Sequence, residues 1–277
     1  MSQRISDCFE TARAAGHKVL IPFITAGDPS PEWTVEVMHS LVQAGADLLE
    51  LGVPFSDPMA DGPVIQLASE RAIEKNVDLE SVLDMVTIFR QRDATTPVVL
   101  MGYMNPVERF GRSRFPQRAK DAGVDGLLLV DCPPEERGDL GAAMTDTGLD
   151  GICLVAPTTT RERVRDIAAM ASGFIYYVSL KGITGSGRLD APELSEPVRQ
   201  IREFSNLPVA VGFGIKNAEM AVNVAAHADA VVIGSALVEA LAAAKNQQDA
   251  CSIATGFVAP VRESLDNMTR SRLKQQR

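Results

Sequence analysis

Glu50 lies inside the apolar run DLLELGV, where an ionised carboxylate taken out of water is disfavoured unless it has a partner or a task. Near the C-terminal end of a buried strand, an inward side chain at such a position reaches a pocket and can exchange protons; a charge paired with a structural Arg or Lys is the competing reading. Directly after it comes GVPFSDPMADGPVIQ, residues 52–66. Pro54, Pro58 and Pro63 restrict this backbone, so Ser56, Asp57 and Asp61 are presented at a smaller entropic cost than on a flexible loop. Asp61 is placed to face Glu50 across a bound ligand, although Asp-Gly is also ordinary turn chemistry. Two carboxylates in different environments are suited to dividing acid and base roles.

Other residues fit a phosphate. Gly212 and Gly214 in VGFGI, and Gly234 and Ser235 in IGSALVEA, each follow an apolar run. Glycines there permit close backbone approach, and the start of a helix offers N–H groups to an anion; plain turn glycines are the alternative. SLKGITGSGRLDAPE, residues 179–193, is rich in glycine and reads either as a lid carrying Thr184 or as a surface loop.

These residues require a scaffold that brings loop ends together. Eight short apolar runs, at 19–25, 48–53, 98–101, 126–130, 151–155, 174–178, 209–212 and 230–234, alternate with amphipathic segments. The runs are continuous in hydrophobicity, as expected of parallel strands buried on both faces. The expected fold is a single (β/α)₈ TIM-barrel domain spanning 1–277, with a phosphate-binding helix after strand 8. An additional N-terminal helix at 2–15 has Ile5, Phe9 and Ala12 on one face. Four of the units share a phrase: AGADLLEL, AGVDGLLLV, TGLDGICLV and AHADAVVIG. A Gly terminates each helix and an Asp bonds turn N–H groups before the strand; the last copy has His227 in place of the Gly. In such barrels active sites lie at the C-terminal ends of the strands, and phosphate is held by the loops after strands seven and eight.

A net charge of −9 and a pI near 4.9 argue against nucleic acid or an anionic membrane as a partner. The chain shows no secretory leader and no run long enough to span a bilayer, and reads as cytoplasmic. Cys8, Cys132, Cys153 and Cys251, and His17, His39 and His227, are too scattered to propose disulfides or a metal site.

With GVPFSDPMADGPVIQ, the chain closely resembles the tryptophan synthase α-subunit family, indole-3-glycerol-phosphate lyases. Matches continue through IPFITAGDP, LMGYMNPV, CLVAPTTT, YYVSLKGITG, GFGI and IGSALV, almost the full length. The resemblance implies cleavage of indole-3-glycerol phosphate to indole and glyceraldehyde 3-phosphate, without metal or organic cofactor. It implies Glu50 as acid and then base, with Asp61 bonded to the indole N–H. Phe23, Leu100, Tyr176 and Phe213 would surround the indole, Thr184 would close towards the aspartate, and Gly185, Gly214, Gly234 and Ser235 would hold phosphate. It further implies a pyridoxal-phosphate β subunit as partner, as α2β2, contacted through Asp57, Asn105 and Pro106. Lys181 and the GSGRLD stretch depart from the family's lid. Two other readings compete: a sugar isomerase on the same barrel, with its acid and base on different strands, and a catalytically silent barrel that only activates a β subunit. The segment 255–277 reads as a helix with no assigned function.

Overall fold

The computed structural model describes residues 2–178, 191–212 and 214–275, with backbone alone at 191–193 and 271–275. Eight strands form: β1 Val19–Thr25, β2 Leu49–Gly52, β3 Val98–Gly102, β4 Gly126–Leu129, β5 Asp150–Val155, β6 Ile175–Val178, β7 Val209–Gly212 and β8 Ala230–Ile233. Every strand pairs in parallel with the next, and β8 returns to β1, closing the barrel. The expected strand positions hold to within about two residues, the ordinary uncertainty of an element's end. Helices cover the outside, and the gaps after β2 and β3 each carry two. The C-terminal helix starts earlier than its sequence suggests, running from Gln247 to Gln275.

Period-two geometry sorts each strand's residues onto two faces. Val19, Ile21, Leu48, Val99, Leu128, Ile152, Phe174, Ala210, Ala230 and Val232 fill the barrel interior in one apolar cluster. Leu20, Ile24, Leu49, Leu51, Val98 and Leu100 point the other way, into the larger layer between barrel and helices. The N-terminal helix Gln3–Ala14 closes the bottom: Ile5, Phe9 and Ala12 join the interior cluster, and the Phe9 ring lies 5.7 Å from that of Phe174.

The repeated phrase has a more specific role than local turn formation. Gly45, Gly123 and Gly148 all have positive φ, as helix-terminating glycines do. The Asp that follows reaches the neighbouring strand: Asp47 accepts from Leu20 N–H at 2.8 Å, Asp125 from Val98 N–H at 2.9 Å and Asp229 from Val209 N–H at 2.9 Å. Asp150 accepts instead from Ser2 N–H at 2.9 Å, tying the N-terminal segment to the barrel floor. The phrase is therefore a strand-register clamp at the end of the barrel away from the catalytic loops, which leaves the opposite end free to vary.

Candidate active site

Glu50 lies on β2 directly beside Phe23 of β1 and Val99 of β3, facing inward. It is 2% exposed, and neither carboxylate oxygen has a hydrogen-bond partner among the described residues. The structural ion pair is thereby set aside for the described residues, since no Arg or Lys accompanies it. Burial, and then the negative charge of Asp61, push its carboxyl up to about 8. It is therefore a protonated acid at neutral pH, poised near the pH at which a proton donor is most effective.

A sign follows for stability. The folded-state value lies above that of the unfolded chain, so the stabilisation is complete below the unfolded value of 4.5 and lost as pH rises through about 8. Glu50→Gln is expected to match the parent in urea unfolding near pH 5 and to exceed it at pH 9 by on the order of a few kcal/mol. Equal stability at both pH values would contradict the burial argument.

Asp61 comes from the loop between β2 and the helix Pro63–Glu74, near enough for its charge to act on Glu50. Its backbone is fixed twice: Asp61 N–H donates to Pro58 O at 3.0 Å, and Gln66 Nε2 donates to Asp61 O at 2.8 Å. Its carboxylate accepts from the Tyr103 hydroxyl at 3.0 Å, and that hydroxyl accepts from Ala60 N–H at 3.0 Å. Burial raises the Asp61 carboxyl, and the Tyr103 hydrogen bond opposes the rise. Glu50 has no such donor among the described residues. The two acids thus sit in unequal surroundings, one buried without a donor and one whose burial is partly offset by the Tyr103 hydroxyl.

Tyr103 was not among the residues picked from sequence. It follows β3 and continues the inward parity of Val99 and Met101, is 4% exposed, and packs against Phe55 with the rings tilted and their centroids 5.2 Å apart. The signal was present in LMGYMNP, as a hydroxyl two residues beyond an inward apolar position.

Tyr176, on β6, also points inward and is buried; burial, and then Glu50 and Asp61, drive its phenol well above its usual value. It stays a neutral hydroxyl beside both acids. Gly212 makes room for it, because an added Cβ would lie 2.1 Å from the Tyr176 oxygen. Phe23 packs with Ala68, Val238 and Met101 next to the acids. Leu100 requires a correction: it is wholly buried in the layer between barrel and helices and does not face the cavity. Glu50 pairs with Val99 on its own inward face, so the alternate residues Val99 and Met101 point inward and Leu100 outward. Met101 is the inward residue in its place, packed against the interior cluster.

Gly234 begins the helix Ser235–Leu241 after β8, and a Cβ there would sit 3.6 Å from Phe23, which joins this end of the mouth to the acids. Ser235 is half-buried in the first turn. Gly214 adopts φ +47° after β7, is exposed, and has nothing within 4 Å of an added Cβ. Thr184, Gly185 and Phe213 lie outside the described residues.

Asp57 and Asn105 are exposed and Pro106 half-buried. Ser56 donates to Asp57 at 2.5 Å. Beside them runs a groove of about 660 Å³ lined by Phe55, Ser56, Asn105, Pro106, Arg109 and Phe110. Met59, on the same loop, is 85% exposed. Among the described residues no three His, Cys, Asp or Glu side chains cluster as metal ligands, and no helix is long and apolar enough to cross a membrane.

Comparison with known proteins identifies the family. Residues 9–265 match the family model for the tryptophan synthase alpha chain. The tryptophan synthase alpha chain of Methylococcus capsulatus is 54% identical over 264 residues, covering 95% of this chain and 99% of the relative. That of Burkholderia pseudomallei is 56% identical over 263 residues, covering 95% and 97%. Among solved structures, tryptophan synthase subunit alpha from Legionella pneumophila superimposes with a TM-score of 0.89 at 46% identity, covering 96% of this chain and 99% of that one. A barrel alone is shared by unrelated enzymes, but identity of this order over nearly the whole length is not. The chain belongs to the tryptophan synthase alpha chain family.

Proposed function

We propose that Glu50 and Asp61 carry the family's reaction in this chain, the lyase step of tryptophan biosynthesis that cleaves indole-3-glycerol phosphate to indole and glyceraldehyde 3-phosphate. The observation that supports it is the unequal pair: a buried, neutral Glu50 without a partner among the described residues, beside an Asp61 held by Tyr103. Protonated Glu50 gives its proton to indole C3, and the ring becomes an electron sink. Asp61 accepts the indole N–H and stabilises the positive charge that develops there. Glu50, now a carboxylate, takes the proton of the side-chain hydroxyl. The carbon–carbon bond breaks, its electrons restore the indole, and an aldehyde forms. Glu50 ends as it began.

Phe23, Met101 and Tyr176 are assigned to the indole ring, and Gly214, Gly234 and Ser235 to the phosphate. Thr184, Gly185 and Phe213 complete that assignment from the family resemblance. No cofactor is assigned to the alpha chain; pyridoxal phosphate belongs to the β subunit. That partner is assigned to the groove beside Asp57, Asn105 and Pro106, where the exposed Met59 and the half-buried Phe55 offer apolar contact. The assembly proposed is α2β2, in the cytoplasm.

Indole release from indole-3-glycerol phosphate, measured with and without β subunit, tests the reading. Slow release alone and faster release with partner are expected; no release in either setting would favour a silent barrel. Tyr103→Phe removes the donor to Asp61 and should lower kcat about tenfold, the scale of one hydrogen bond to a charged group. The acid limb of its kcat–pH profile should move up, because the Asp61 carboxyl loses what holds it down.

A further inference from the structure

Thr25 closes β1 on the same inward parity as Phe23, and it lines one recess together with Asp61. Its side chain is 2% exposed, yet its hydroxyl has no hydrogen-bond partner among the described residues. A hydroxyl buried in this way is disfavoured unless something bonds to it.

The hydroxyl opens onto a small, partly open recess of about 10 Å³, which Thr25, Asp61, Ser69 and Tyr103 line together with Phe23, Gly52 and Met101. That is the size of one water, and a buried water needs two to four polar partners. The walls supply them: the Thr25 hydroxyl, the Asp61 carboxylate and the Ser69 hydroxyl. The Tyr103 oxygen is already engaged, donating to Asp61 and accepting from Ala60.

We infer that Thr25 is a positioning residue for Asp61, acting through one ordered water that accepts from or donates to the Thr25 hydroxyl and donates to the Asp61 carboxylate. The inference rests on the proposed function above. It gives Asp61 a second donor besides Tyr103, from the floor of the site, and leaves the rest of the carboxylate for the indole N–H. Two fixed donors orient a carboxylate better than one, and both favour its charged form. Among the described residues, the titratable groups facing Asp61 are Glu50 on β2, Tyr103 after β3 and Tyr176 on β6. None of them is a cation. Donors of this kind therefore hold the Asp61 charge.

The test compares wild type, Thr25→Val, Thr25→Ser and Thr25→Ala in the indole-release assay with β subunit, across pH, with a thermal melt of each. Val keeps the shape and loses the hydroxyl; Ser against Ala isolates the same hydroxyl should Val fail to fold. Thr25→Val is expected to lose about tenfold in kcat with KM within about twofold of wild type, as for an interaction lost at the reacting centre. Its acid limb should move to higher pH, and Thr25→Ser should restore most of the loss that Thr25→Ala shows.

Unchanged kcat in the variants overturns the inference. So does a lower kcat with an unmoved acid limb, which marks a packing role, and so does a rise confined to KM, which places the hydroxyl on the substrate. Wild type that releases no indole sinks the proposed reaction and this inference with it, whereas active wild type beside unaffected variants sinks this inference alone.

Discussion

Glu50→Gln is expected to lose at least about a thousandfold in kcat, within the range for removing a positioned acid–base group. The loss should be large because the same carboxyl acts twice in the proposed cycle, giving a proton to indole C3 and then taking one from the hydroxyl. Gln keeps the volume of the side chain and carries no charge, so the barrel interior around Val99 and Phe23 keeps its packing. KM should change little, since a neutral Gln resembles the neutral acid that meets the substrate. The measurements are steady-state indole release and a thermal melt. A variant that folds and turns over at the parent rate would remove Glu50 from the mechanism.

The strand pattern made much of this molecule legible before any coordinates. Continuous apolar runs gave eight parallel strands, and a lone acid within the second marked the cavity. Continuity also hid something. Where both faces of a strand are apolar, no polar alternation reports which residues point inward. Leu100 and Met101 look equivalent in LMGYMNP, and only the pairing of Glu50 with Val99 assigns Met101 to the interior. Tyr103 was hidden for another reason: its bond to Asp61 joins two loops that meet only once the barrel closes. Thr25 looked like the last residue of an apolar strand, and that its hydroxyl is unpaired among the described residues is a fact of tertiary structure.

The repeated aspartates show the converse. Their position before each strand was readable, but the bonds of Asp47, Asp125 and Asp229 cross to the adjacent strand's N–H groups, for example Asp125 to Val98 at 2.9 Å, and that of Asp150 crosses to Ser2. A local motif in sequence is thus a non-local clamp in the fold. It rigidifies the end of the barrel away from Glu50 and Asp61, and a rigid base is what lets long loops carry a site with close tolerances.

Asp61→Asn is the second large effect, a loss of about a hundredfold to a thousandfold in kcat, comparable with removing one preorganised electrostatic contact at a developing charge. Asn is nearly isosteric and its carbonyl can still accept from Tyr103, so the loop from Pro58 to Gln66 keeps its hydrogen bonds. What goes is the negative charge that offsets the positive ring. A second signature separates this from simple misplacement. Asp61 is the lesser of the two causes that raise the Glu50 carboxyl to about 8, after burial. Neutralising it should bring the Glu50 value down without returning it to 4.5, because burial remains. The active acid form of Glu50 would then be lost at lower pH, and the basic limb of the residual kcat profile should shift to the acid side. A basic limb left in place would mean that the two carboxyls do not sense each other, and the division of labour between them would have to be abandoned.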